Sequence, residues 1–190
     1  DWSVDIGPRV HYEADMWARI EDDLAKDDIS AASAKLRNGL EEFTRFVCHN
    51  LRAKVPYTLE DAGSLGDFLP AAIGTYNELL SKAKNAANSW NRKDEVEALK
   101  RKDEKAKSII KDALGEQWTI NTTVHFNDWA KLSKEDFKPV VHAFKELCNS
   151  VFACSNEGCE SVLKVTFDSG TMNGVRCKCG ANNWNLIRKK

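Results

Sequence analysis

Apolar residues recur at three- and four-residue steps along most of this chain, the repeat of amphipathic helices, and change to alternation only near the carboxyl end. Between residues 12 and 26, Met16, Trp17, Ile20 and Leu24 share one stripe, and Asp27-Asp28 interrupts it before Ser30, which can cap a second helix. That second helix carries a clear stripe of Leu36, Leu40, Phe43, Val47 and Leu51 until Pro56 ends it, and it belongs in the core. A loop over 56–65 leads to Asp67 as N-cap and Pro70 in the first turn of a third helix, which reaches about Trp90. Its inward positions are Phe68, Ala72, Tyr76, Leu79, Ala83 and Ala87, small enough in places for a neighbouring helix to approach closely. Residues 91–114 are dense in charge, with a thin seam of Val96, Leu99, Ala106, Ile110 and Leu114 and with Gly115 as C-cap, the pattern of a partly exposed helix. From 117 to 129 aromatic and β-branched residues increase, which fits a short strand or a buried loop equally. Ser133 then caps a last helix carrying Phe137, Val141, Phe144, Leu147 and Val151, with His142 on or beside its core face; Pro139 either splits or bends it.

Beyond residue 151 the reading changes. Residues 161–167 alternate like a strand, Asp168-Ser169-Gly170 and Asn173-Gly174 are turn signals, and Val175-Arg176 leads back. Cysteines flank this stretch as CSNEGC, a 17-residue interval, then CKCG. Cys154, Cys159, Cys177 and Cys179 thus offer four soft donors within 26 residues, a set that suits tetrahedral Zn²⁺, and Gly158 and Gly180 allow the tight turns around it. The spacing departs from the usual C-x2-C, with four residues inside the first pair and one inside the second. Four protein ligands leave no position for water or substrate, so the zinc is expected to be structural. Two disulfides and an iron–sulfur cluster are the alternatives. Against the first, no signal peptide is visible, and Cys48 and Cys148 sit in apolar helical patterns like reduced core thiols. The expected fold is mainly α: a bundle of five or six helices over residues 1–151, then a four-cysteine zinc ribbon over 152–190.

Composition narrows function mainly by exclusion. With 28 basic and 29 acidic residues the chain has no general attraction to polyanions, so any such binding must be local. Arg176, Lys178, Arg188, Lys189 and Lys190 are the candidate cations for nucleic acid or an acidic partner. Glu97–Arg101 and Asp103–Lys107 are opposite charges four apart, so the basic stretch around them reads as a solvated face. Trp184, with Leu186-Ile187, either docks the ribbon on the bundle or stacks on a base or partner side chain. No apolar run is long enough to span a bilayer, and the chain is expected to be cytoplasmic without membrane contact. The absence of an initiating Met at Asp1 fits a fragment or a processed product. Walker, GxSxG and HExxH motifs are absent, which leaves no visible machinery for ATP hydrolysis, serine-hydrolase chemistry or zinc proteolysis. His11 and His125 have no nearby catalytic pattern.

Two resemblances bear on function. Arg45 and His49, four apart on the second helix, faintly resemble the Arg-plus-His pair of HEPN-type ribonucleases, which are helical bundles that use it to activate a ribose hydroxyl. The three intervening residues are fewer than that family's four to six, and an amphipathic helix with surface Arg and boundary His is the plainer reading. More broadly, Gly7-Pro8-Arg9, Ala32 with Leu36-Arg37 and Leu40-Glu41, Leu51-Arg52-Ala53, Val55-Pro56-Tyr57, Leu65-Gly66-Asp67, Leu69-Pro70-Ala71, Ala86-Ala87, Ser89-Trp90 and the cysteine knuckles resemble the C-terminal region of bacterial SMC-like or RecF-like ABC ATPases, some linked to phage defence. The resemblance implies an ATPase head and coiled coil before Asp1 in a parent chain, with this piece contacting that head, a protein partner, DNA or RNA. Because the ATPase motifs are missing here, it assigns no nucleotide chemistry to any residue of this chain.

Overall fold

The computed structural model describes residues 2–3, 7–8, 13–56, 63–124 and 132–189. His11, Tyr57, His125 and Lys190, with part of the expected 56–65 loop, lie outside that set. A short antiparallel pair, β1 (Trp2–Ser3) and β2 (Gly7–Pro8), precedes five α-helices: α1 (Glu13–Ala25), α2 (Ile29–Leu51), α3 (Leu65–Ser89), α4 (Lys93–Val124) and α5 (Lys134–Glu146). A π-helical turn (Leu147–Phe152) then feeds a three-stranded antiparallel sheet of β3 (Lys164–Asp168), β4 (Thr171–Arg176) and β5 (Asn183–Asn185), with β4 in the centre. Helix α2 packs on α1 and α3, and α4 packs between α3 and α5.

The stripes of α1, α2 and α3 bury as their spacing predicts: Ile20, Leu36, Leu40, Val47 and Ala72 are fully inaccessible. The helix ends differ from expectation. Asp28 rather than Ser30 caps α2, its carboxylate accepting from the Ala31 N–H at 2.9 Å. The helix stops at Leu51, short of Pro56, because Arg52 turns left-handed (φ 59°) and the Ala53 N–H bonds the Cys48 carbonyl. Helices α3 and α5 begin with one recurring arrangement, Ser64-Leu-Gly-Asp67-Phe-Leu-Pro70 and Ser133-Lys-Glu-Asp136-Phe-Lys-Pro139. In each the aspartate reaches back to the serine N–H, at 2.9 Å for Asp67 and 3.1 Å for Asp136, and the next residue, Phe68 or Phe137, enters the core. Asp67 is therefore the third residue of its helix and Ser64 its cap. Pro70 and Pro139 occupy the sixth position, where each forgoes one N–H bond, and both helices continue through them.

Helix α4 runs past Gly115 to Val124, so neither the C-cap at Gly115 nor a strand over 117–124 is found, and the rest of that stretch, 125–129, lies outside the described residues. A Cβ at Gly115 would meet nothing within 4 Å, so it is an exposed helical glycine, a cost of about 1 kcal/mol that the rest of a 32-residue helix outweighs. The seam falls on Val96, Leu99, Ala106, Ile109, Ile110 and Ala113, while Leu114 is exposed. The expected solvated face is only partly so: Lys102 and Asp103 are half-buried, and Asp103 holds Lys107 at 2.9 Å and Lys84 of α3 at 2.7 Å, while Glu97 pairs with Lys100 rather than Arg101. His142 is exposed, not on the core face.

One hydrophobic core runs from the bundle into the sheet. Tyr76 lies at its centre, edge-on to Phe152 at 6.1 Å and to Trp184 at 5.7 Å between ring centroids. Its hydroxyl has no hydrogen-bond partner among the described residues, and burial pushes its pKa up. Tyr76→Phe is accordingly expected to be neutral or stabilising in urea unfolding, whereas Tyr76→Ala should cost about 3–5 kcal/mol.

The two cap aspartates set an acid limit. Hydrogen bonds from Ser64 and Ser133 hold the Asp67 and Asp136 carboxyls below the ordinary carboxylate value of 3.8. A depressed folded-state pKa adds stability that is complete above the unfolded value and is lost as pH falls through the folded one. The Asp67→Asn/Asp136→Asn double variant should lose stability less steeply than the natural chain below about pH 4; parallel acid limbs would contradict this.

Candidate metal centre

The first cysteine loop is closed by backbone hydrogen bonds before any metal is considered. The π turn, marked by the Ala153 N–H bonding the Cys148 carbonyl, widens the helix so that Leu147, Cys148, Val151 and Phe152 all face the core and the chain leaves toward Cys154. Leu163 N–H then bonds the Phe152 carbonyl and Cys154 N–H bonds the Ser161 carbonyl, pinning the two ends of the loop together. The second loop closes when the Cys177 N–H bonds the Asn182 carbonyl at 3.1 Å, with Gly180 at φ 81° supplying the left-handed turn.

The β3–β4 hairpin brings these loops face to face. Its two-residue turn is Ser169-Gly170, both left-handed (φ 47° and 79°), as Asp168-Ser169-Gly170 foretold. Asn173-Gly174 is not a turn. The register slips there, Asn173 bulges out of β4, and its side chain accepts from the Thr166 hydroxyl at 2.7 Å. A Cβ at Gly174 would stand 2.8 Å from the Trp184 carbonyl, so glycine lets β5 come alongside, a third strand the alternation did not announce.

The four sulfur atoms all lie within 4.8 Å of one another. Cys154 and Cys179 are 3.7 Å apart, and Cys177 and Cys179 3.5 Å. A disulfide requires about 2.05 Å, whereas the edge of a tetrahedron with metal–sulfur bonds of about 2.3 Å is about 3.8 Å. Four sulfurs around one point suit a single soft, tetrahedral ion, not two bridges.

Hydrogen-bond donors surround the sulfurs. The Asn182 N–H points at Cys177 Sγ (3.2 Å), the Ala181 N–H at Cys179 Sγ (3.5 Å), and the Ser161 hydroxyl meets Cys159 Sγ at 3.2 Å. The Ser161 contacts lower the Cys159 thiol to about 6. Burial works to raise Cys177, but the Asn182 N–H and neighbouring thiols outweigh it and lower its value. Cys154, buried beneath the others, is pushed up to about 11 by desolvation. Donors aimed at sulfur favour the thiolate form that a metal requires.

Lys102 of α4 also enters this surrounding. Its ammonium donates to Asn182 Oδ1 at 2.9 Å and lies 5.6 Å from the centre of the Trp184 ring. Burial lowers its pKa, and the negative charge of Cys154 and Cys177 offsets part of that effect. Four thiolates around a divalent ion carry two net negative charges, so Lys102 stands where a counter-charge is required. Nothing in its spacing marked it; only its side-chain contacts with Asn182 and Trp184, 80 and 82 residues on, do. Ser161 and Asn182, two and three residues from a cysteine, were nearer to sequence reach.

The other candidate residues divide. Trp184 is buried against Tyr76, which makes it a docking residue and removes it as a stacking surface for bases. Arg176 and Lys178 are exposed beside the centre, whereas Arg188 and Lys189 run back to the end of α3, where the Lys189 N–H bonds Ser89 Oγ at 2.8 Å. Arg45 and His49 share an exposed face of α2, but Arg45 pairs with Glu41 (3.5 Å) and covers the Phe68 ring (5.1 Å). Cys48 and Cys148 are buried thiols, and burial lifts Cys48 to about 11. No helix among the described residues is long and apolar enough to cross a membrane. Comparison with protein-family models, curated proteins and solved structures finds no match to this chain.

Replacing Lys102 separates its two effects. Lys102→Met should leave the metal-free protein at least as stable, because a half-buried ammonium without a carboxylate partner among the described residues is removed, yet weaken metal retention by about tenfold or more in chelator competition. Lys102→Arg should retain most of the affinity.

Proposed function

We propose that this chain is a non-catalytic binding or assembly module whose sheet is fixed by one structural Zn²⁺ on Cys154, Cys159, Cys177 and Cys179. The observation that carries the reading is the sulfur arrangement, four protein donors at tetrahedral spacing with no position left for a reacting molecule. A segment of roughly 40 residues cannot bury enough apolar surface to fold unaided, and metal binding in zinc-finger peptides supplies on the order of 10–16 kcal/mol. Zinc is favoured because soft thiolates and tetrahedral geometry match it without redox chemistry; a single iron is the competing occupant.

The resemblance to the C-terminal region of bacterial SMC-like ATPases supplies the setting: a module joined to an ATPase head and holding a protein partner, DNA or RNA in place during DNA transactions or phage defence, in the cytoplasm. The HEPN-like ribonuclease reading draws little support from its residues, since Arg45 is already engaged by Glu41 and Phe68.

Metal analysis of freshly purified protein should return one zinc per chain, and a cobalt(II)-substituted sample should show sulfur-to-cobalt charge transfer. Cys154→Ser or chelation should melt the sheet while most helical circular dichroism remains. Iron in place of zinc would change the ion; no stoichiometric metal, or those thiols oxidised to one another, would end the proposal.

A further inference from the structure

Trp90 closes α3 and is 42% exposed, and the structure gives this indole a fixed pose. Its N–H donates to the Ile187 carbonyl at 2.8 Å, and the next hydrogen bond along the tail, Lys189 N–H to Ser89 Oγ, runs beside it. The result is a contiguous exposed apolar pair, Trp90 with Ile187, formed by residues 97 apart in the chain. Cations ring it. Arg92 lies 5.9 Å from the ring centre, and Lys93, Arg188 and Lys189 are exposed with no carboxylate partner among the described residues. Asp94 and Glu95 are the opposing charges, and Glu95 is already taken by Arg92 at 3.3 Å.

We propose that this patch is a binding site for single-stranded nucleic acid, a base stacking on Trp90 while Lys93, Arg188 and Lys189 receive the flanking phosphates. An aromatic platform with cations beside it is the chemistry that holds unpaired bases, since every base offers a π face and the phosphates follow the cations. Because the indole N–H is already anchored, stacking costs little side-chain freedom. Duplex is a poorer ligand here, its base faces being covered by each other. An acidic peptide would satisfy the cations but not the flat ring. The inference rests on the chain being a binding module and names its ligand and face; it does not depend on which ion fills the cysteine centre.

Fluorescence anisotropy of labelled uridine-rich RNA and thymidine-rich DNA oligonucleotides, with metal content measured in the same samples, tests it. The metal-loaded chain should bind one or both single strands more tightly than the matching duplex. Trp90→Ala should weaken binding between about 5-fold and about 100-fold, with Trp90→Phe close to the natural chain. Arg188→Gln/Lys189→Gln, which alters only exposed side chains, should reduce the slope of log affinity against log salt by about 1.4. Absence of single-strand binding at low salt, a Trp90→Ala variant that binds as the natural chain does, an unchanged salt slope, or tighter binding of polyglutamate than of oligonucleotide would overturn the proposal. Metal-free protein would be a failure of the zinc reading instead.

Discussion

The structure depends on the seating of Trp184 against Tyr76. That edge-to-face contact, 5.7 Å between ring centres, joins a strand of the small sheet to the middle of the buried stripe of α3. Burying an indole of this size gives roughly 2–3 kcal/mol, and each aromatic pair adds about 0.5–1.5. Trp184 meets Tyr76, which meets Phe152 at the end of the π turn, and Phe152 is one residue from the chain that enters the first cysteine loop. The contact therefore positions both halves of the cysteine centre, because β5 follows the second loop and Phe152 precedes the first.

Once the sheet is held there, electrostatics follows from geometry. Cys154 lies deepest and disfavours its charged form, whereas Cys159 and Cys177 receive hydrogen bonds that favour theirs. Lys102 reaches the same region from α4, linked to the second loop through Asn182. The bundle is thus part of the surroundings of the cysteine centre and not only a platform beneath it. The same docking carries the tail past the sheet to the end of α3, where Trp90 and Ser89 bind its backbone. A contact inside the core thereby determines which cations collect on the surface.

Local signals were legible where a single interaction range decides the outcome. Helical stripes, the cysteine spacing and the Ser169-Gly170 turn are settled within a few residues and agree with the fold. Errors arose where a local preference was outweighed. Gly115 favours a helix end by about 1 kcal/mol, too little to stop a helix already packed from Val96 to Ala113. Asn173-Gly174 has the composition of a turn, but strand pairing on both sides of β4 makes it a bulge with a close strand approach. Asp67 and Ser30 are good caps by type, displaced because Ser64 and Asp28 have the geometry to close the first turn.

By itself the amino-acid sequence determined that the chain is mainly helical, which helix faces turn inward, and that four thiols come from two loops near the carboxyl end. Those are properties of periodicity and spacing, fixed by the rise of a helix and the reach of a short turn. Only the tertiary structure decided that Trp184 is core while Trp90 is surface, that Lys102 reaches Asn182 and Trp184, and that the tail of Arg188 and Lys189 returns to the end of α3. Each of these pairs residues far apart in the chain, and such pairing is set by how helices and sheet share one buried volume, which no local pattern encodes.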